Sequence, residues 1–158
     1  MQLYFFRHAL AEDADGKQSD SERKLTQEGI DRTRQSARLL KLLDLTPIKL
    51  YTSPLVRAKQ TADILGHTLE IPIDVRKELA PGFNLAALTA LISDLSADDS
   101  LMVVGHEPDF SRTIGTLTGG SEIVMKKGGL ARVDITRTHP LSGQLVWLIA
   151  PKMFQKLG

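Results

Sequence analysis

The chain has 158 residues, of which 42% are hydrophobic and 25% charged, a balance typical of a folded globular protein rather than of a disordered or membrane-embedded one. Twenty Lys and Arg against nineteen Asp and Glu leave a formal net charge of +1, so no overall field attracts the protein to nucleic acid or to an acidic membrane. The chain contains no cysteine, which excludes disulfides, a thiolate nucleophile and any cysteine-ligated metal.

The start of the chain predicts a cytoplasmic protein. Residues 1–6 lack a basic leader, are too short for a signal-peptide core and are followed at once by Arg7 and His8. No linker, repeat or low-complexity segment divides the sequence. We therefore expect one domain over residues 1–158, a monomer by default, with neither nucleic acid nor a membrane as its partner.

The first half of the chain predicts two strands, each followed by a helix. Leu3–Phe6 form an apolar run without alternation, as in a strand buried on both faces. Residues 11–24 are polar and predict a loop, after which Thr26 can cap a helix. Residues 48–52 predict the second strand. Ser53–Pro54 is typical of an N-cap and first helical position, and the apolar stripe of the helix that follows comprises Leu55, Ala58, Ala62, Leu65 and Leu69.

The second half continues the alternation. It predicts an extended piece at residues 71–75, a helix capped by Asn84, a strand at 101–104, a helix with Pro108 inside its start and Gly119–Gly120 at its end, and strands at 130–136 and 144–150. Strands alternating with helices predict a three-layer α/β/α sandwich with a mainly parallel sheet, to which the closing pair of strands adds an antiparallel edge.

Polar groups follow three of the predicted strands, as Arg7–His8, as Ser53 with Arg57 shortly after it, and as Gly105–His106. Ligands of open α/β sheets bind beyond the carboxyl ends of the strands. If these strands are parallel neighbours, two arginines and two histidines converge at one edge of the sheet. A cation such as Arg57 in the first helical turn opposes the helix dipole by a few tenths to ~1 kcal/mol, which indicates an anion nearby.

A tetrahedral phosphate dianion fits this set of groups. Guanidinium forks, imidazoles and the free N–H groups of a helix start all bind phosphate oxygens. Phosphoryl transfer needs mostly positioning and charge stabilisation, so clustered cations can suffice without a metal. We therefore expect no cofactor and no metal.

Three motifs in this chain, Arg7-His8-Ala9, Ser53–Ala62 and Gly105-His106-Glu107-Pro108, resemble the histidine phosphatase superfamily, which includes the phosphoglycerate mutases. Their order and spacing cover most of the chain. The short length and the stretches Leu25–Gly29 and Lys126–Gly129 are most similar to the SixA-type phosphohistidine phosphatases.

The resemblance implies a phosphoglycerate mutase-like fold, His8 as the nucleophile, and Arg7, Arg57 and His106 as the phosphate pocket. Ala9 stands where the family usually has glycine, a change of one methyl group. Larger relatives also carry an inserted helical cap with a glutamate that protonates the leaving group, and this chain has no room for a long cap. Glu78 lies near the right place in the order of the chain and is the possible proton donor.

A missing cap favours an open site, because small phosphates need enclosing walls for specificity. We therefore expect the substrate to be a phosphorylated histidine of a protein, in a phosphorelay or phosphotransfer domain, and the reaction to pass through a phosphohistidine intermediate on the enzyme. A phosphomonoesterase or mutase for small metabolites is the alternative within the superfamily. An alternative of another class is a non-catalytic phosphate-binding regulatory module, against which the pair His8 and His106 argues.

Two charged segments are interpreted first as solvent-exposed surface. Lys126–Lys127 is typical of a solvated turn, with steering of a phosphorylated partner as the alternative. The acidic residues of the polar loop lack the ligand spacing of a calcium site, so they are interpreted as solvated or as part of the pocket rim; they are Glu12, Asp13, Asp15, Asp20 and Glu22.

Overall fold

The computed structural model describes residues 1–157 and has one six-stranded sheet with five α-helices in that range. The elements are β1 (Gln2–Arg7), α1 (Gln27–Leu42), β2 (Lys49–Thr52), α2 (Val56–Leu69), β3 (Ile73–Val75), α3 (Leu85–Leu91), β4 (Ser100–Gly105), α4 (Asp109–Leu117), β5 (Leu130–Thr138), β6 (Leu141–Ile149) and α5 (Pro151–Leu157). Short 3₁₀ helices occupy Asp20–Glu22 and Lys77–Leu79.

The order of the strands across the sheet is β3-β2-β4-β1-β5-β6. The first four of these are parallel neighbours, β5 runs antiparallel to β1, and β6 runs antiparallel to β5. The predicted parallel sheet with an antiparallel edge is therefore confirmed.

Strand β1 lies between β4 and β5 and contributes to the cores on both faces of the sheet. Leu3 and Phe5 belong to the core that contains side chains of α3 and α4. Tyr4 and Phe6 belong to the other core, which contains side chains of α1, α2 and α5. Because both faces of β1 are covered by helices, its apolar run shows no alternation. The predicted three-layer arrangement is confirmed.

Two predicted helix caps are confirmed. The hydroxyl of Thr26 accepts the N–H of Gly29 at 3.0 Å at the start of α1. The side-chain oxygen of Asn84 accepts the N–H of Ala87 at 3.1 Å at the start of α3. In each case a short polar side chain satisfies an N–H that lacks a partner within the helix.

Two other predicted helix starts are wrong. Helix α2 begins at Val56 after an N-cap at Leu55, rather than at Ser53–Pro54. Ser53 is still held by the sheet, because its N–H donates to the carbonyl of Val104 at 3.0 Å. Pro108 is the N-cap of α4 and stands outside that helix.

The C-terminal region differs most from the sequence prediction. β5 and β6 are longer than expected and meet through His139–Pro140. Helix α5 was not predicted, and it places the buried ring of Phe154 in the core beside α1 and α2. Over residues 1–157, every helix is too short or too polar to cross a bilayer.

Candidate active site

The carboxyl ends of β2, β4 and β1 lie side by side. Val104 pairs with Thr52 on β2, and Gly105 pairs with Arg7 on β1. The ladder continues past the strands, since the N–H of His8 donates to the carbonyl of Gly105 at 3.0 Å. The residues that follow the three strands therefore share one edge of the sheet, as the sequence predicted.

Gly105, the last residue of β4, packs closely against the ring of Phe110 in α4. A Cβ on this residue would lie 2.6 Å from the ring of Phe110. That ring packs edge-on against Phe5, with ring centroids 5.2 Å apart. Any side chain at position 105 would therefore force this aromatic pair to shift.

His8 is 5% exposed, and hydrogen bonds engage both of its ring nitrogens. Its Nδ1 lies 2.8 Å from the carbonyl oxygen of Ala9. A carbonyl only accepts, so the ring proton is assigned to Nδ1. Nε2 then carries the lone pair and accepts the Nε–H of Arg57 at 3.3 Å.

The surroundings of His8 favour the neutral imidazole. Burial lowers the pKa of His8 to about 3, and the nearby charges of His106, Arg57 and Arg7 act in the same direction. The hydrogen bond to Ala9 opposes them only in part. At neutral pH, His8 therefore presents an unprotonated Nε2.

Arg57 is the second residue of α2 and is only 5% exposed, although it lies off the apolar stripe of that helix. Its Nε donates to His8, and its Nη1 donates to the backbone carbonyl of Asp20 at 2.7 Å. Its Nη2 donates to the Asp20 carboxylate at 3.0 Å. An anion therefore already occupies the outer side of this guanidinium, as the helix-dipole argument predicted.

Asp20 is a residue of the site that the sequence did not single out. It begins the 3₁₀ helix of the polar loop, and its side chain is 60% exposed. Partial burial acts to raise the pKa of Asp20, but hydrogen bonds and charge from Arg57 and Arg23 outweigh it and hold that pKa below its usual range. Asp20 is one of five acids in a loop without periodicity, so no local signal distinguishes it.

His106 is 4% exposed, and the centroid of its ring lies 5.3 Å from that of His8. Its Nε2 lies 2.7 Å from the hydroxyl of Ser53, which also accepts the N–H of Leu55 at 3.2 Å. We assign the ring proton of His106 to Nδ1, with Ser53 donating its hydroxyl proton to Nε2. Burial lowers the pKa of His106 to about 4, and the charge of Arg57 adds to the effect.

Two buried polar atoms of these residues lack partners within residues 1–157. They are Nδ1 of His106 and Nε of Arg7. Arg7 does donate from Nη1 to the carbonyl of Met125 at 2.8 Å, and burial lowers its pKa, with Glu107 opposing the effect. A buried polar group without a partner costs about 1–3 kcal/mol. An anion with several acceptor oxygens would satisfy both atoms.

The structure shows no hydrogen bond or ion pair between Glu78 and this cluster. Glu78 lies in the second 3₁₀ helix and makes no side-chain hydrogen bond or ion pair to the described residues. The carboxylates that act most on His106 are Asp109 and Asp20. The role of Glu78 as a proton donor stays a prediction. Among residues 1–157, no three His, Asp or Glu side chains are grouped as a metal ion would require.

Parallel strand ends that bring together two histidines and two arginines define an α/β protein with a candidate pocket for a phosphate-type anion. The sequence profile of the histidine phosphatase superfamily (branch 1) matches residues 3–81, which is half of the chain. The chain belongs to this superfamily.

Individual relatives agree with this result. An uncharacterized protein of Picosynechococcus sp. is 38% identical over an alignment of 136 positions, which covers 82% of each chain. The phosphohistidine phosphatase SixA of Escherichia coli is 29% identical over an alignment of 155 positions, which covers 96% of this chain and 94% of SixA. The structure of the protein histidine phosphatase SixA complexed with tungstate superposes with a TM-score of 0.85 and 28% identity, over 97% of this chain and 99% of that one. The predicted phosphoglycerate mutase-like fold and the resemblance to SixA are confirmed.

Proposed function

We propose that this protein is a phosphohistidine phosphatase that removes the phosphoryl group from a histidine of a partner protein. The observation that carries the proposal is the state of His8: Nδ1–H is bound to the carbonyl of Ala9, and the Nε2 lone pair faces the Arg57 guanidinium. A pocket that only bound phosphate would need the arginines but no unprotonated imidazole. The similarity to SixA over nearly the whole chain supports the same substrate class.

The reaction proceeds in two displacements at phosphorus. Nε2 of His8 attacks the phosphorus atom, the P–N bond of the substrate breaks, and the departing imidazole nitrogen takes up a proton. Water then attacks the phosphorus of phospho-His8 and gives up a proton. The Nε2–P bond breaks, and inorganic phosphate leaves with His8 restored.

The cationic groups of the pocket stabilise the transferring phosphoryl group. Arg57 and Arg7 supply guanidinium N–H donors, and Nδ1–H of His106 supplies a neutral one. Donors fixed in a site with little water stabilise developing charge on phosphate oxygens, because they need little reorganisation during the reaction. The catalytic residues are therefore His8, Arg7, Arg57 and His106.

The substrate choice follows from the leaving group. An alkyl phosphate leaves as an alkoxide and needs an acid beside the ester oxygen, whereas the imidazole of phosphohistidine takes a proton near neutral pH with little help. Glu78 makes no hydrogen bond or ion pair to the pocket residues, and the carboxylate of Asp20 is bound to Arg57. A pocket in which no carboxylic acid is held ready by a hydrogen bond as a proton donor favours cleavage of a P–N bond.

Three substrate classes test this proposal. We expect kcat/KM to be highest for a phosphohistidine peptide, intermediate for an aryl phosphate and lowest for phosphoglycerate or a sugar phosphate. If Glu78 is a proton donor, Glu78→Gln lowers turnover of alkyl phosphates much more than turnover of phosphohistidine. A wild-type preference for alkyl phosphates would identify a metabolite phosphatase instead.

Chelation tests the proposal that no metal takes part. Three cationic or donor residues already meet the charge of the transferring group, so EDTA should leave kcat/KM of the wild type unchanged. Loss of activity on chelation that one divalent metal restores would contradict the metal-independent mechanism.

A further inference from the structure

A basic groove of about 520 Å³ adjoins the phosphate pocket and shares Arg7 with it. Its other charged lining residues are Arg32, Lys126, Lys127 and Lys152, and Leu10, Ala150 and Pro151 complete it. No acidic residue is among the described residues that line this groove. The excess of positive charge is therefore local, since the whole chain carries a net charge of only +1.

The lysines of the basic groove remain available to a ligand. Lys126, Lys127 and Lys152 are exposed and make no ion pair within residues 1–157, whereas Arg32 pairs with Glu28. Adjacent like charges repel one another, so a surface that groups unpaired cations gains when an anionic partner binds to it.

The backbone joins the basic groove directly to the proposed nucleophile. The N–H of Gly128 lies 3.1 Å from the carbonyl of Arg7 and 3.2 Å from that of His8, and the N–H of Arg7 donates to Gly129 at 3.0 Å. The Arg7 side chain donates to Met125. The segment that carries Lys126 and Lys127 is thus hydrogen-bonded on both sides to the end of β1, which fixes the lysines relative to His8.

A phosphoryl group alone does not need this groove, because the phosphate pocket already supplies its donors. We propose that the basic groove binds an acidic segment of the phosphoprotein substrate, next to the phosphohistidine that enters the pocket. This inference rests on the proposed function. The occupant is a protein segment because the groove is concave and shares a wall with the pocket, so a chain bound there extends directly to His8.

Two synthetic phosphohistidine peptides of equal length test the inference, one with four Glu residues flanking the phosphohistidine and the other with four Gln. For the wild type at low salt, we expect kcat/KM for the acidic peptide to exceed that for the neutral one by about tenfold, as several exposed charge pairs allow. The preference should shrink as ionic strength rises.

The variant Lys126→Ala/Lys127→Ala/Lys152→Ala should lose the preference for the acidic peptide while keeping wild-type kcat/KM on an aryl phosphate. The matched control Arg38→Ala/Arg137→Ala/Lys156→Ala removes three exposed cations outside both the groove and the polar loop and should keep the preference. Unchanged aryl phosphate turnover also shows that each variant is folded.

Two results would overturn the docking inference: equal kcat/KM for the two peptides with the wild type, or an equal loss of preference in the groove variant and the control. A different result would show that the proposed phosphohistidine phosphatase function itself is wrong. In that case the wild type turns over the aryl phosphate but neither phosphohistidine peptide, and the docking inference falls with it.

Discussion

The floor and the rim of the phosphate pocket are built in different ways. The floor consists of His8, Ser53 and His106, which are buried and continue three neighbouring strands. The rim is the polar loop, whose residues 12–24 are mostly exposed. It reaches the pocket through Asp20, whose carboxylate and carbonyl both bind Arg57.

This difference predicts that substitutions in the floor affect the reaction, whereas substitutions in the rim affect binding. Sheet register and core packing set the positions of the floor residues, so a change there alters the groups that we propose to act on the phosphoryl group. The rim is held by a few polar contacts at the surface, where an exposed ion pair contributes only about 0.2–1 kcal/mol. A change in the rim should alter access and affinity while the reaction itself persists.

The largest effect is expected from removing the proposed nucleophile in the floor. His8→Asn should abolish turnover, because asparagine has no lone pair on nitrogen that can form the bond to phosphorus. Rapid mixing of wild type with labelled aryl phosphate, followed by a denaturing quench, should trap an acid-labile, base-stable phosphoenzyme. His106→Asn serves as the control and should still form labelled enzyme at a lower rate. Label on His8→Asn would refute the assignment.

A smaller loss is expected at Arg57, where the floor meets the rim. Arg57→Ala should lower kcat/KM by roughly 10²–10³-fold, as when one preorganised donor is lost. Arg57→Lys should recover only part of it, because an ammonium cannot reproduce the planar fork that binds His8 and Asp20 together. Equal thermal unfolding midpoints of the three proteins are the control. Near wild-type activity of the alanine variant would remove Arg57 from the pocket.

The pH dependence tests the buried character of the floor. A histidine with an ordinary pKa near 6.5 would be about 97% protonated at pH 5, and its reactions as a nucleophile would slow about 30-fold. The pKa of His8 is lowered to about 3, so its neutral form persists well below pH 6.5. Phosphoenzyme formation, corrected for ionisation of the substrate, should therefore change less than about twofold between pH 7 and pH 5.

Nitrogen chemical shifts of the His8 ring provide a direct measurement, with His8→Gln assigning the signal. The shifts should move only as pH approaches 3. A midpoint between pH 6 and 7 would show that burial and the neighbouring cations do not control His8.

The smallest effect is expected at the rim. Asp20 holds Nη2 of Arg57, which is a donor that a phosphate oxygen could use. Asp20→Asn removes this competing charge and should strengthen inhibition by inorganic phosphate or tungstate by about two- to fivefold, the range of one exposed ion pair. Asp13→Asn removes an equal charge from the same loop and should leave the inhibition constant unchanged. Weaker inhibition of Asp20→Asn would mean that Asp20 orients Arg57 for phosphate instead of competing with it.

Most of the fold could be predicted because the patterns are local. The apolar run of β1 and the helix caps at Thr26 and Asn84 depend on interactions between residues that are close in the sequence, so the sequence pattern is enough to predict them. Ser53 shows the limit of such patterns. A serine before proline is typical of a helix cap, but here the Ser53 hydroxyl binds His106 and the Ser53 N–H donates to Val104, so the helix begins at Val56, two residues later than predicted.

The sequence by itself determined the alternation of strands and helices, the polar groups that follow three strands, and the resemblance that identifies the superfamily. Only the tertiary structure decided that Asp20 binds Arg57, that Ser53 binds His106, and that Lys126 and Lys127 line a groove beside Arg7. These contacts join residues far apart in the chain, and strand order and loop paths bring them together. Local hydrophobic periodicity and helix-capping preferences cannot predict contacts between residues that are distant in the sequence.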